Sequence, residues 1–124
     1  ILFLIPFLFL TTFLLLPIFL DSNYLLHEIN KKLYIINNGF CYNNKTILNQ
    51  NILKIIHVKQ KNNPFKVFRF VLWEYMIIIL DNKERIYITS FKCNNEILLN
   101  HLKISPIIIN IGLPYLDKNI YTIN

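Results

Sequence analysis

From Ile1 to Leu20 the chain is apolar except at Thr11 and Thr12, and it carries no charge. Helix rises about 1.5 Å per residue, so a run of this length covers roughly the 30 Å of a bilayer core. The pattern predicts a membrane-spanning helix over 1–20. Two other readings compete. A cleaved secretory signal would carry basic residues ahead of the run and small residues at its end, whereas this chain opens on Ile1-Leu2-Phe3 and leaves through Leu20-Asp21-Ser22-Asn23. A buried helix of a soluble domain would show polar interruptions on one face. Pro6 falls where a missing N–H costs little, and Pro17 is expected to kink or end the helix one turn before Asp21.

Residues 21–32 read as a connector, in which Ser22 or Asn23 caps a single turn through Glu28. Strand patterns follow. Leu33-Tyr34-Ile35-Ile36 and Phe40-Cys41-Tyr42 flank Asn37-Asn38-Gly39, and Asn-Gly between β-prone runs signals a hairpin whose central residues take φ > 0. Ile52 to Val58 reads as a further strand or as a short helical turn leading into a strand, and Gln60-Lys61-Asn62-Asn63-Pro64 as a loop. Phe65 to Leu72 alternates with large apolar residues in both registers. Tyr75 to Leu80 is continuously apolar, Asp81 to Glu84 is a turn, and Arg85 to Phe91 alternates around Ile86 and Ile88. These read as antiparallel strands with tight connections. A second membrane span over Phe70–Leu80 is too short and has Glu74 in its middle. A helix is expected at about 95–103: Asn94 or Asn95 caps it, Ile97, Leu98, His101 and Leu102 recur at helical spacing, and Pro106 forbids continuation. Residues 105–124 are expected as an extended tail or edge strand. The β-rich domain thus spans 33–104, room for one small core and not two.

Composition changes the picture in two ways. Alanine is absent, glycine occurs only at positions 39 and 112, and Ile, Asn, Leu and Lys dominate. That is the mark of a strongly A/T-biased genome, such as an organelle's. The chain opens on Ile1 rather than Met, as expected of a fragment or of a gene with an unusual start codon. The formal net charge of +6 is also unevenly placed. Lys31, Lys32, Lys45, Lys54, Lys59, Lys61, Lys66 and Arg69 fall between Ile29 and Trp73 with no acid among them. Positive charge beside a spanning helix favours the cytoplasmic, matrix or stromal side and suits anionic head groups; Lys31, Lys32, Lys54, Lys59 and Lys61 are the candidate lipid-facing set. The plainer reading is a solvated basic face. The basic residues are nearly all Lys with no recognition motif, so no nucleic-acid partner is expected.

No catalytic constellation stands out. His27, His57 and His101 are far apart and share no spacing with an acid or nucleophile. Glu74, in an apolar stretch, reads as a strand-edge charge or a partner of Arg69 or Arg85. Two glycines cannot build a phosphate-binding loop. Cys41 and Cys93 match no zinc spacing and read as ordinary thiols, with a disulfide conceivable. No metal, cofactor or enzymatic activity is expected. The large apolar side chains Phe68, Phe70 and Trp73 are the candidate partner-binding residues. Phe68 and Phe70 flank Arg69, so a strand through them cannot hide all its apolar side chains on one face.

The strands Leu33 to Phe40, Ile55 to Lys59, Phe65 to Leu72, Tyr75 to Leu80 and Arg85 to Ile88, closed by a helix at Asn95 to Lys103, resemble membrane-anchored bacterial pleckstrin-homology-like domains. That resemblance implies a small, strongly bent antiparallel sheet with one end plugged by the helix. A narrower likeness is to the photosystem I assembly factor family of plastids and cyanobacteria. It rests on Ile52-Leu53-Lys54-Ile55-Ile56-His57-Val58-Lys59, Asn63-Pro64-Phe65-Lys66-Val67 and Leu99-Asn100-His101-Leu102-Lys103-Ile104-Ser105-Pro106. That family has two N-terminal membrane helices, of which one is visible here, and then a basic β-rich domain. Together these imply a single-pass organellar inner or thylakoid membrane protein. Its domain would lie on the matrix or stromal side, acting without catalysis as an accessory subunit or assembly factor of an energy-transducing complex. Its expected partners are other subunits of that complex and the membrane. The alternative is a lipid-surface module that uses its basic face.

Overall fold

Tyr75–Leu80 is apolar at every position and buried at every position, which a strand achieves only when both faces of its sheet are covered. In a computed structural model, which describes residues 4–60, 73–111 and 114–116 apart from the side chains of 12–14, this strand is β5 at the centre of a four-stranded sheet. The elements run α1 (Leu4–Glu28), β1 (Leu33–Ile36), β2 (Gly39–Tyr42), β3 (Lys45–Leu48), a 3-10 turn (Asn49–Asn51), β4 (Ile52–Gln60), β5 (Tyr75–Leu80), β6 (Arg85–Thr89), α2 (Asn95–Leu102) and β7 (Ile107–Ile111). The larger sheet has the order β6-β5-β4-β7, antiparallel except for the parallel pair β4–β7. A second, antiparallel sheet has the order β1-β2-β3.

The pleat of the larger sheet divides the core in two. Ile55, Met76, Ile78, Ile86 and Ile88 meet α2 and the small sheet through Leu98, Leu99, Leu102, Phe40 and Ile47. Ile56, Val58, Tyr75, Ile77 and Tyr87 face the other way and meet Leu20 and Tyr24 of α1, with Trp73 and Leu116. The architecture is therefore helix, sheet, then helix with a second sheet. The mainly β domain between an apolar N-terminal helix and a later helix matches the sequence expectation. The expected single bent sheet is instead two, because the 3-10 turn at Asn49–Asn51 ends one ladder before β4 starts the next.

The helix α1 is 25 residues long, and by length and composition it is apolar enough to cross a membrane. It does not end near Pro17, and the expected connector at 21–32 is helical to Glu28. Helix-averse Asp21 and Asn23 are held by tertiary bonds: the Trp73 indole donates to Asp21 at 2.9 Å, and Asn23 accepts from the Leu116 N–H at 2.9 Å. Packing overrides local propensity here. Asn30, at φ 61°, stops the helix in the left-handed region. Nearer the start, the Thr11 hydroxyl donates to the Phe7 carbonyl at 2.8 Å, which satisfies it within the helix.

The α2 expectation of 95–103 is met within a residue. Asn94 caps it by accepting from the Glu96 N–H at 2.9 Å, and Lys103 closes it at φ 58°. Within the expected tail, β7 adds to the edge of β4, and 114–116 turn back onto α1. Cys41 and Cys93 are free, and burial pushes the Cys93 thiol up to about 11.

The first hairpin forms, but with different chemistry from the one expected. Its turn is Asn37-Asn38, neither residue has positive φ, and Gly39 already belongs to β2. The turn with paired positive φ is the next one, Asn43 (52°) and Asn44 (64°), which joins β2 to β3. Gly39 is needed for space: a Cβ there would lie 2.0 Å from the Ile47 carbonyl oxygen of β3. Gly39→Ala should therefore destabilise the folded chain by about 1–3 kcal/mol through overpacking. Thermal unfolding followed by Trp73 fluorescence tests this, and an unchanged midpoint would contradict the close approach.

Candidate functional site

The last turns of α1 are where the sequence, the core and the charge meet. On the inner face, Leu20 and Tyr24 are fully buried against the sheet, and the Tyr24 hydroxyl donates to the Pro114 carbonyl at 2.8 Å. One turn further, Glu28 is buried and accepts a hydrogen bond from the Tyr42 hydroxyl. Burial, reinforced by this carboxylate, pushes the Tyr42 hydroxyl far above the usual phenol range, so it stays a donor. His27 Nε2 lies 2.6 Å from the Tyr87 carbonyl oxygen. A carbonyl only accepts, so this nitrogen carries the proton. The Lys92 ammonium donates to the Lys31 carbonyl just past the helix end, where cations are favoured.

The outer face of the same turns stays apolar and uncovered. Leu25, Leu26 and Ile29 are 57, 72 and 62 % exposed, and Ile18 continues the face toward the N-terminus. Ile18, Leu25 and Ile29 recur at helical spacing opposite the buried Leu20 and Tyr24, with the polar Ser22 among them. Phe19 stacks on Tyr115 at 5.1 Å beside it. The sheet covers one side of these turns, and nothing in this chain, among the described residues, covers Leu25, Leu26 and Ile29 on the other.

At the β6 edge of the sheet, the end of α1 helps to form an open cleft of about 200 Å³. His27 lines it from the helix and Lys31 from just past the helix end, Tyr42, Asn43 and Lys45 from the β2–β3 hairpin, and Glu84 and Arg85 from the turn into β6. Lys45 pairs with Glu84 across the cleft, and its ammonium holds the Glu84 carboxyl below the usual range.

The residues singled out from sequence are scattered. Trp73 is fully buried between α1 and the sheet, inside the chain's own core. Phe68, Phe70 and Lys61 lie outside the described residues. Of the basic set, Lys31 lines the cleft and Lys32 is exposed beside it. Lys54 and Lys59 lie an odd number of residues apart on β4, so the pleat sends them to opposite faces. Lys59 is paired with Glu96 of α2 at 3.2 Å. The four described lysines do not make one basic face. The cleft instead gathers Lys31 with Lys45 and Arg85, far apart in sequence and joined only by tertiary structure, a grouping that no spacing announced. Glu74, expected as a strand-edge charge or a partner of Arg69 or Arg85, is buried with its carboxylate 3.5 Å from His57 Nε2, and Arg69 lies outside the described residues. His101 bridges α2 to the first hairpin, its Nε2 lying 2.7 Å from the Ile36 carbonyl and 3.0 Å from that of Gly39. Among the described residues, no group of His, Cys, Asp and Glu is arranged to hold a metal ion.

The Tyr42–Glu28 bond ties the small sheet to α1. Tyr42→Phe leaves a buried carboxylate oxygen without its donor and should cost about 1–3 kcal/mol. Thermal unfolding of the full chain measures it; a loss below a few tenths would show that the bond contributes little.

Comparison with protein families, with curated proteins and with solved structures finds no match to this chain.

Proposed function

We propose that this chain is a non-enzymatic, membrane-anchored accessory subunit or assembly factor of a large organellar energy-transducing complex, and that it works by contact. One observation carries the reading. The apolar outer face of α1 runs on past the stretch needed for a bilayer, through Leu25, Leu26 and Ile29, beside a sheet that already covers the opposite face. A large apolar side chain left in water forgoes roughly 1.5–3 kcal/mol of burial, so several in a row favour an apolar partner. A membrane helix of a larger complex has that chemistry, and it meets α1 along the bilayer edge. The likeness to the photosystem I assembly factor family, with its basic β-rich domain behind membrane helices, supports the same class of job. The surface that makes the contact is then the α1 face rather than Trp73, whose indole is occupied inside the domain.

Two measurements test this. Leu26→Ser with Ile29→Ser should leave the chain folded and membrane-bound but lower its copurification with the complex after mild detergent about tenfold or more. Unaltered copurification would sink the contact reading. In sealed organellar vesicles, protease added on the side opposite the matrix or stroma should leave residues 33–116 intact; digestion from that side would reverse the proposed orientation.

A further inference from the structure

We propose that the cavity between α2 and strands β4 and β7 binds a short-chain carboxylate, held by His57 from its floor and Lys103 from its wall. Parallel pairing sets His57 beside Ile108, on the side of the sheet that faces α2. The helix flanks them with Leu99, Asn100 and Lys103, and a cavity of about 500 Å³ lies between. That volume falls in the range of roughly 300–1,000 Å³ usual for small-molecule sites. A cavity of that volume measures about 8 Å across, so one small ligand reaches floor and wall together.

Two observations point to a ligand. The first is the floor. His57 is 1 % exposed, and its Nε2 makes no hydrogen bond. Glu74 Oε1, 3.5 Å away, lies beyond the usual bond length. Buried polar groups take partners, and the cavity is the side from which this imidazole can take one. The second is the charge of the lining. Lys59 and Glu96 form an ion pair at 3.2 Å, so these two offset each other. Lys103 makes no ion pair and no side-chain hydrogen bond among the described residues. Its backbone, at φ 58°, closes α2 and fixes where its side chain starts.

A carboxylate answers both. It accepts from an imidazole N–H and from the Lys103 ammonium, and charge assistance strengthens each bond. A cationic ligand would meet Lys103 as a like charge. The remaining wall selects what the carboxylate is attached to. Leu99, Ile104, Pro106 and Ile108 are apolar, and Ile108 is 53 % exposed. A tail of a few carbons laid against them removes that surface from water, whereas a bare inorganic anion leaves it uncovered. The site requires neither a bilayer nor a partner complex, so its test stands apart from that of the proposed function.

The full chain in neutral detergent, carrying isotope-labelled histidine, is titrated with pentanoate, pentanamide and pentylammonium at matched ionic strength. The readouts are the ring nitrogen resonances, with those of His57 assigned by His57→Gln, and the unfolding midpoint. Pentanoate should move the His57 signals, leave those of His27 and His101 in place and raise the midpoint. Pentanamide, with the same tail and no charge, should bind about tenfold more weakly, and pentylammonium more weakly still. Lys103→Asn, which keeps a residue tolerant of the left-handed cap, brings pentanoate down to the affinity of pentanamide. Lys54→Gln removes a charge outside the cavity and leaves the preference intact. If Lys103→Asn does not fold, Ile108→Ser takes its place and must weaken pentanoate and pentanamide alike. Equal responses to the three probes would mean that the tail merely partitions, and they overturn the proposal. So do silent His57 signals, a pentanoate affinity untouched by the cavity variant, or one lowered equally by Lys54→Gln.

Discussion

Burial of both faces of β5 is the constraint on which the rest depends. A strand reading Tyr-Met-Ile-Ile-Ile-Leu has no polar face to offer water, so its sheet needs a cover on each side. In a chain this short the covers come from opposite ends of the sequence. The membrane-type helix supplies one through Leu20 and Tyr24, and α2 with the small sheet supplies the other through Leu98, Leu102 and Phe40. Leaving either face bare would expose several large side chains, each worth roughly 1.5–3 kcal/mol on burial. The apolar N-terminal helix is therefore a structural member of the domain.

That structural role explains what the sequence did and did not reveal. The apolar run, the strands around Ile55, Ile77 and Ile86, and the helix from Asn95 were legible because each is a local periodicity with local punctuation. The continuation of α1 was not legible. Asp21, Ser22 and Asn23 read as a break, and only the distant partners Trp73 and Leu116 make them helical. Gly39 was recognised as special for the wrong reason: the demand is a neighbouring carbonyl across the strand pair, not its own φ. The left-handed Asn43-Asn44 turn was hidden in a chain where asparagine is everywhere, although short amide side chains are among those that tolerate that conformation.

The candidate site was less legible than the fold. A basic run suggested one continuous charged face. The pleat of β4 separates Lys54 from Lys59, and α2 takes the latter as an ion-pair partner. The charges that do converge come from a helix end, a hairpin and an edge strand. Likewise, His57 and Glu74 share no sequence spacing, yet antiparallel pairing of β4 with β5 brings their neighbourhoods together. Convergence of this kind belongs to topology, and a single sequence carries no local trace of it.

The unbroken passage of α1 into the core has a mechanical consequence. A tether with a flexible joint lets a domain swing freely, whereas here Leu20, Tyr24 and Glu28 are sealed against the sheet along the same rigid rod. Whatever tilts the rod turns the whole domain through the same angle. Helices in bilayers adopt tilts from about 0 to 40° as thickness and neighbours change. A swing of about 20° would carry a point roughly 25 Å from the pivot through about 9 Å. The domain is thus a pointer fixed to its axle, and with α1 in a bilayer as proposed, bilayer thickness or the lean of a neighbouring helix would set the direction in which it points.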